Sequence, residues 1–227
     1  MSLIRLIRAV VDGIRCRLSV RLLSVLTSCV LSGCSFLQPA ADPTRFYVLT
    51  VPSALSNRAG GGESKQWKVG LGPVEVPAYL QGKAMVVRSG ANEIHFADFD
   101  RWAEPLDQGI SRVIKETLSG APNVATVTLN SHGDATLDYE VALRVLGCEG
   151  LRVEKRAGTI QFAVAWEVRS VGNKSTLTKR GMFTADPVGW DGKDYGQLAQ
   201  RLSAAVAGVS QAVAADLPME VKSAGKP

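Results

Sequence analysis

The chain has 227 residues, a formal net charge of +5 and four cysteines. Residues 1–33 hold five of the 26 basic residues and one of the 21 acidic ones, so the remaining 194 residues carry only +1. That balance removes the electrostatic basis for binding nucleic acid, and the length suits one domain that buries its own core.

The first 33 residues follow a secretory pattern. Five arginines (Arg5, Arg8, Arg15, Arg17, Arg21) precede an apolar run from Leu22 to Leu31, and small residues lead to Cys34. The run is about ten residues, well short of the ~18–20 that span a bilayer. Leu31-Ser32-Gly33-Cys34 resembles the lipobox of bacterial lipoproteins. The resemblance implies that Cys34 becomes the first mature residue and carries the acyl chains, and Ser35 after it favours sorting to the outer membrane. With Cys16 and Cys29 removed and Cys34 acylated, Cys148 is the single thiol left, so neither a disulfide nor a multi-cysteine zinc site can form within the domain.

Residues 34–45 read as a lipidated, flexible leash whose eleven residues after Cys34 reach at most about 36 Å. A single domain is expected over 46–218, with a frayed tail at 219–227. Phe46 to Val51 reads as a strand and Ser53 to Lys65, with Gly60-Gly61-Gly62, as a loop. In Trp67 to Pro77 the apolar residues sit at Trp67, Val69 and Leu71, then shift to Val74 and Val76. This parity change at Gly72-Pro73 predicts a β-bulge at an edge or unpaired position. Ala84–Arg88 and Glu93–Ala97 read as a hairpin.

Asp100 to Pro105 is expected to open a helix, with Pro105 in its first turn. Leu106, Ile110, Val113, Ile114 and Leu118 mark its buried face. After a strand at Val124–Leu129, two alternating runs follow, Leu137 to Val145 and Ile160 to Val168, read as antiparallel neighbours around a turn from Gly147 to Gly158. Cys148 falls at a strand end in this reading. A weaker strand spans Thr176–Ala185. A closing helix runs from about Asp194 to Leu217, capped by Asp191 or Asp194, with Leu198, Leu202, Val206, Val209, Val213 and Leu217 as its stripe. The fold class is α+β: a mainly antiparallel β-sheet with two amphipathic helices packed on one face.

Catalytic and cofactor signatures do not assemble. His95 lies in an alternating strand and His132 in a polar turn, both read as surface residues. No G-x-S-x-G elbow accompanies the serines, and the short glycine runs lack the helix that a dinucleotide fingerprint needs. No metal site, cofactor site or catalytic residue is assigned.

Two stretches carry a family resemblance: Gly72-Pro73-Val74-Glu75-Val76-Pro77-Ala78-Tyr79-Leu80 and Ala97-Asp98-Phe99-Asp100-Arg101-Trp102-Ala103-Glu104-Pro105-Leu106. With the lipobox and the order of elements, the chain resembles the ABC-type transport auxiliary lipoproteins (the PqiC family). It departs from them after Leu80, where Gln81-Gly82-Lys83 replaces an Asp-Arg-Pro-like run. The resemblance implies a non-enzymatic outer-membrane lipoprotein, lipid-anchored on the periplasmic face. Its partners would be an MCE-domain periplasmic protein and the associated inner-membrane transport components, with homo-oligomerisation open. A periplasmic lipid carrier and an envelope hydrolase are the alternatives. Pro73 and Pro77 are expected to shape an edge, Trp102 and Pro105 to seat the helix start, and Tyr79 and Leu80 to contact a partner.

Overall fold

The computed structural model describes residues 41–53, 67–130, 134–152, 158–172 and 176–218. The chain divides into two units, Met1–Pro43 and Thr44–Pro227. The lipobox, the Gly60 loop, His132 and the tail after Pro218 lie outside the described residues.

The second unit is built on two long antiparallel strands, β6 (Tyr139–Leu151) and β7 (Gly158–Ser170). Their apolar residues alternate, so Val141, Leu143, Val145, Ile160, Phe162, Val164 and Val168 enter one core. The free flank of β6 is shared by two strands set end to end. Strand β2 (Trp67–Glu75) pairs with its first half, up to Glu75 opposite Arg144, and β3 (Ala84–Arg88) pairs with its end, Val87 opposite Gly150. Beyond β2 lies β5 (Val124–Leu129). Beyond β3 lie β4 (Ile94–Trp102) and the three-residue β1 (Arg45–Tyr47). On the other flank, β7 carries β8 (Thr176–Thr184) and the two-residue β9 (Gly189–Trp190).

The α+β class holds, and the sheet is mixed. The β6–β7, β7–β8, β7–β9 and β3–β4 pairs are antiparallel, whereas β1–β4, β2–β5, β2–β6 and β3–β6 are parallel. Antiparallel neighbours join through short turns, whereas parallel ones need long crossovers. The helix α1 (Leu106–Leu118) lies in the crossover from β4 to β5, and α2 (Tyr195–Asp216) closes the chain.

Both helices belong to the same apolar core as the sheet. Helix α1 buries Leu106, Ile110, Val113, Ile114 and Leu118, and α2 buries Leu198, Leu202, Val206, Val209 and Val213. Asp194 caps α2, accepting from the backbone N–H groups of Gly196 and Gln197 at 2.8 and 3.1 Å. The interior is filled to the point where glycine is required. A Cβ at Gly150 would lie 2.7 Å from the Trp190 ring, and one at Gly181 would lie 2.2 Å from Trp166.

Three boundaries differ from the sequence reading. Strand β4 continues through Trp102, and α1 begins only at Leu106 with Pro105 in the position before it. Asp100, expected to open the helix, is instead tied to β1, accepting from the Tyr47 hydroxyl at 2.8 Å and pairing with Arg45 at 2.9 Å. Strand β6 runs past Gly147 because a register shift between Val145 and Gly147 resets its alternation. Cys148 therefore lies inside the strand, buried, and burial with the nearby Glu149 pushes its thiol pKa up.

Candidate functional site

The motif Gly72–Leu80 occupies the seam where β2 hands over to β3. Pairing of β2 with β5 ends at Leu71, and its pairing with β6 shifts register between Leu71 and Val74. This is the bulge that the parity change predicted. Proline at position 73 fits there because it has no N–H to leave unpaired. From Gly72 onward no strand among the described residues flanks β2 on the β5 side, so within them β2 is interior in its first half and an edge in its second.

Between Arg144 and Gly150, β6 has β7 on one flank and neither β2 nor β3 on the other. Glu149 fills that gap. Its carboxylate accepts from the backbone N–H of Cys148 at 2.8 Å, from Arg88 Nε at 2.8 Å and from the Tyr79 hydroxyl at 3.0 Å. Its side chain has no exposed surface, and among the described residues no buried side-chain nitrogen or oxygen lacks a hydrogen-bond partner. A carboxylate buried this deeply is tolerated because a guanidinium and two further donors replace its water. Tyr79 reaches it from a short 3-10 turn, Ala78–Leu80. Burial and the facing Glu149 raise the pKa of the Tyr79 hydroxyl, and the hydrogen bond to Glu149 raises that of Arg88.

The second motif joins the first at this seam. The Trp102 backbone N–H donates to Lys83 O at 2.7 Å, and the Ala103 N–H donates to Tyr47 O at 2.8 Å. The Trp102 ring is 4% exposed. Glu104 pairs with Arg112 of α1, which also donates to Leu49 O at 2.8 Å. The two motifs thus lock β1, β3, β4 and α1 together.

Beside Pro73 the sheet carries an open groove of about 360 Å³. Its lining includes Pro73, Glu75, Arg144, Glu167 and Arg180, with Ala142 and Ala165 between the charges. Arg144 pairs with Glu75 at 2.7 Å and Arg180 with Glu167 at 2.8 Å, so charges of both signs edge a patch of small residues. Hydrogen bonds from Arg169 and Arg180 hold the Glu167 carboxyl below its ordinary range.

The candidate residues separate on this framework. Tyr79 and Trp102 are brought to the same seam, as are Pro73 and Pro77. Leu80 is 2% exposed, so its side chain is inside the fold and is not presented to a partner in this conformation. Tyr79 is half-buried, with its hydroxyl committed to Glu149. His95 is exposed, 3.1 Å from Glu93. Arg88 and Glu149 were not singled out from sequence. The available signal was the parity change from Val145 to Cys148, which moves Glu149 to the flank where Tyr79 and Arg88 stand.

The fold and seam define an α+β domain that joins two strand systems through one buried ion pair and leaves a strand edge and a charged groove at the surface. The family described as ABC-type transport auxiliary lipoprotein component matches residues 47–214, and the chain belongs to that family. No curated protein matches the chain. Among solved structures, a Xanthomonas campestris protein superposes with a TM-score of 0.62 at 13% identity, covering 75% of this chain and 93% of that one. An uncharacterized protein superposes with a TM-score of 0.56 at 19% identity, covering 77% and 99%. These likenesses concern the fold. Among the described residues no helix is long and apolar enough to cross a membrane.

Proposed function

We propose that the mature chain begins at Cys34, is acylated there, and serves on the periplasmic face of the outer membrane as a non-enzymatic docking subunit of an MCE-type lipid transport system. The partners in this reading are the MCE-domain periplasmic protein and its inner-membrane components. The folded region begins at β1 with Arg45, one residue before the expected boundary, and runs to 218; the leash is the stretch from 34 up to it, and 1–33 is the leader.

The observation that carries the docking role is the second half of β2. Among the described residues it leaves Gly72–Glu75 without a strand on one side, next to the groove edged by Glu75, Arg144, Glu167 and Arg180. An unpaired strand edge beside mixed charges offers a partner both backbone groups and a polar register. Tyr79, half-buried at the neighbouring seam, is the candidate contact residue of this reading. At Gly150 and Gly181 the core has no room for even one added carbon, which supports docking over a carrier cavity at those places.

The anchor is tested with Cys34→Ala. The expected result is loss of fatty-acid labelling, a retained leader, and loss of the MCE-domain protein from complexes recovered out of outer-membrane fractions. Continued labelling of the variant, or fractionation of the unaltered chain with the inner membrane, would overturn the assignment.

A further inference from the structure

Large apolar side chains are exposed at seven places among the described residues, and four of them gather on one edge system: Phe46 on β1, Val48 just after it, and Phe96 and Phe99 on β4. Phe46 is 61% exposed and Phe99 50%. In the parallel β1–β4 register Phe46 stands beside Arg101, and Phe99, two residues earlier on the same strand, points to the same side. The opposite side is held rigidly. Asp100 accepts from Tyr47 and pairs with Arg45, and Trp102 is buried. The aromatic rings are therefore presented outward by a fixed frame, and among the described residues no strand lies beyond β1.

From this geometry we infer that the Phe46–Phe99 face rests on the lipid surface to which the chain is tethered, with the rings in the interfacial region and Arg101 at the headgroup phosphates. The inference rests on the acylation of Cys34 in the reading above. Phe46 is twelve residues after Cys34, so the patch opens the first strand of the domain and is the part of the fold nearest the anchor along the chain. The leash sets only an upper limit on the distance to the bilayer. A short flexible tether holds its cargo at roughly millimolar effective concentration, so a patch too weak to bind a membrane alone stays engaged when anchored. Phenylalanine rings suit the interface, and an arginine between them can extend its guanidinium to phosphate while its stem lies along the apolar layer. The leash and the patch together fix which side of the domain faces the membrane.

The test uses the acylated chain in phosphatidylethanolamine–phosphatidylglycerol vesicles, with a nitroxide on Arg101→Cys and, as reference, on Thr178→Cys of β8. Labelling is selective because Cys34 is blocked by its acyl group and Cys148 is buried. The expected result is a severalfold lower collision rate with an aqueous nickel chelate at 101 than at 178, and a higher one with oxygen. Adding Phe46→Ser and Phe99→Ser should remove the difference while the melting temperature and acylation are retained. Equal accessibility at both positions on vesicles would overturn the inference. Protection at 101 that appears without vesicles and grows with protein concentration would also overturn it, in favour of a second copy on the same face. A chain whose mass shows no acyl group would remove the anchor reading, and with it this one, before any label is read.

Discussion

The Tyr79 hydroxyl donates to Oε2 of Glu149 at 3.0 Å across 70 residues of sequence, and it does so where β6 has lost one strand neighbour and not yet gained the next. That bond pins the turn between β2 and β3 to the middle of the sheet. Arg88 supplies the opposing charge. Removing Arg88 leaves a buried carboxylate with two neutral donors, so Arg88→Met should lower stability by about 3 kcal/mol in urea unfolding. Tyr79→Phe keeps the ring and removes one donor, with an expected loss of ~1–2 kcal/mol. If both variants unfold at the wild-type midpoint, the seam does not depend on this pair.

Trp102 is a fold residue in this account. Its ring is buried and its backbone joins β4 to Lys83. Trp102→Ala should cost ~3–5 kcal/mol by thermal or chemical unfolding. A variant that folds with near-normal stability but fails to recover its complex would reverse the assignment and place Trp102 at a partner surface.

The glycine at 181 is required by packing. An added Cβ would sit 2.2 Å from the Trp166 ring, whose indole N–H donates to Asp216 at the end of α2 at 3.0 Å. Gly181→Ala should therefore lose ~1–3 kcal/mol as the ring is displaced. Gly172→Ala, where a Cβ meets nothing within 4 Å, serves as the control and should change stability little. Comparable effects at the two positions would mean that Trp166 moves freely aside.

All four tyrosines ionise late in the folded chain. Burial is the leading cause at Tyr47, Tyr79, Tyr139 and Tyr195, and the hydrogen bond to Asp100 helps push Tyr47 up to about 12. Because the folded values lie above the unfolded one near 10, their contribution to stability is complete below pH 10. It is lost as pH rises through the raised values. Phenolate absorbance at alkaline pH should rise late for the native protein and near pH 10 for the unfolded one. Coincident curves would contradict the burial and hydrogen bonding described.

Much of this fold is legible in local pattern. The alternation in β6 and β7, the stripes of α1 and α2, the Asp194 cap and the bulge at Pro73 all follow from neighbouring residues. The parallel pairs were not, because β2 meets β6 and β1 meets β4 only after long crossovers that leave no local trace. Asp100 was misleading for a related reason. An acidic residue just before an apolar helical stripe reads as a helix start, and its true partners, Arg45 and Tyr47, are more than fifty residues away. The Glu149 cluster is hidden from local pattern by the bulge at Leu146, where the alternation breaks although the strand continues. Leu80 shows the limit of motif reading: an apolar residue in a loop-like stretch was expected outside and packs inside.

The docking claim meets its most direct test in site-specific photocrosslinking in cells, with the photoreactive residue placed at Glu75 beside the bulge and, for comparison, at Glu116 on the outer face of α1. Both positions are exposed, so neither should disturb the core. The expected result is a crosslink from position 75 to the MCE-domain protein and none from 116. A crosslink from 116 alone, or none from 75 while the complex is still recovered intact, would contradict it.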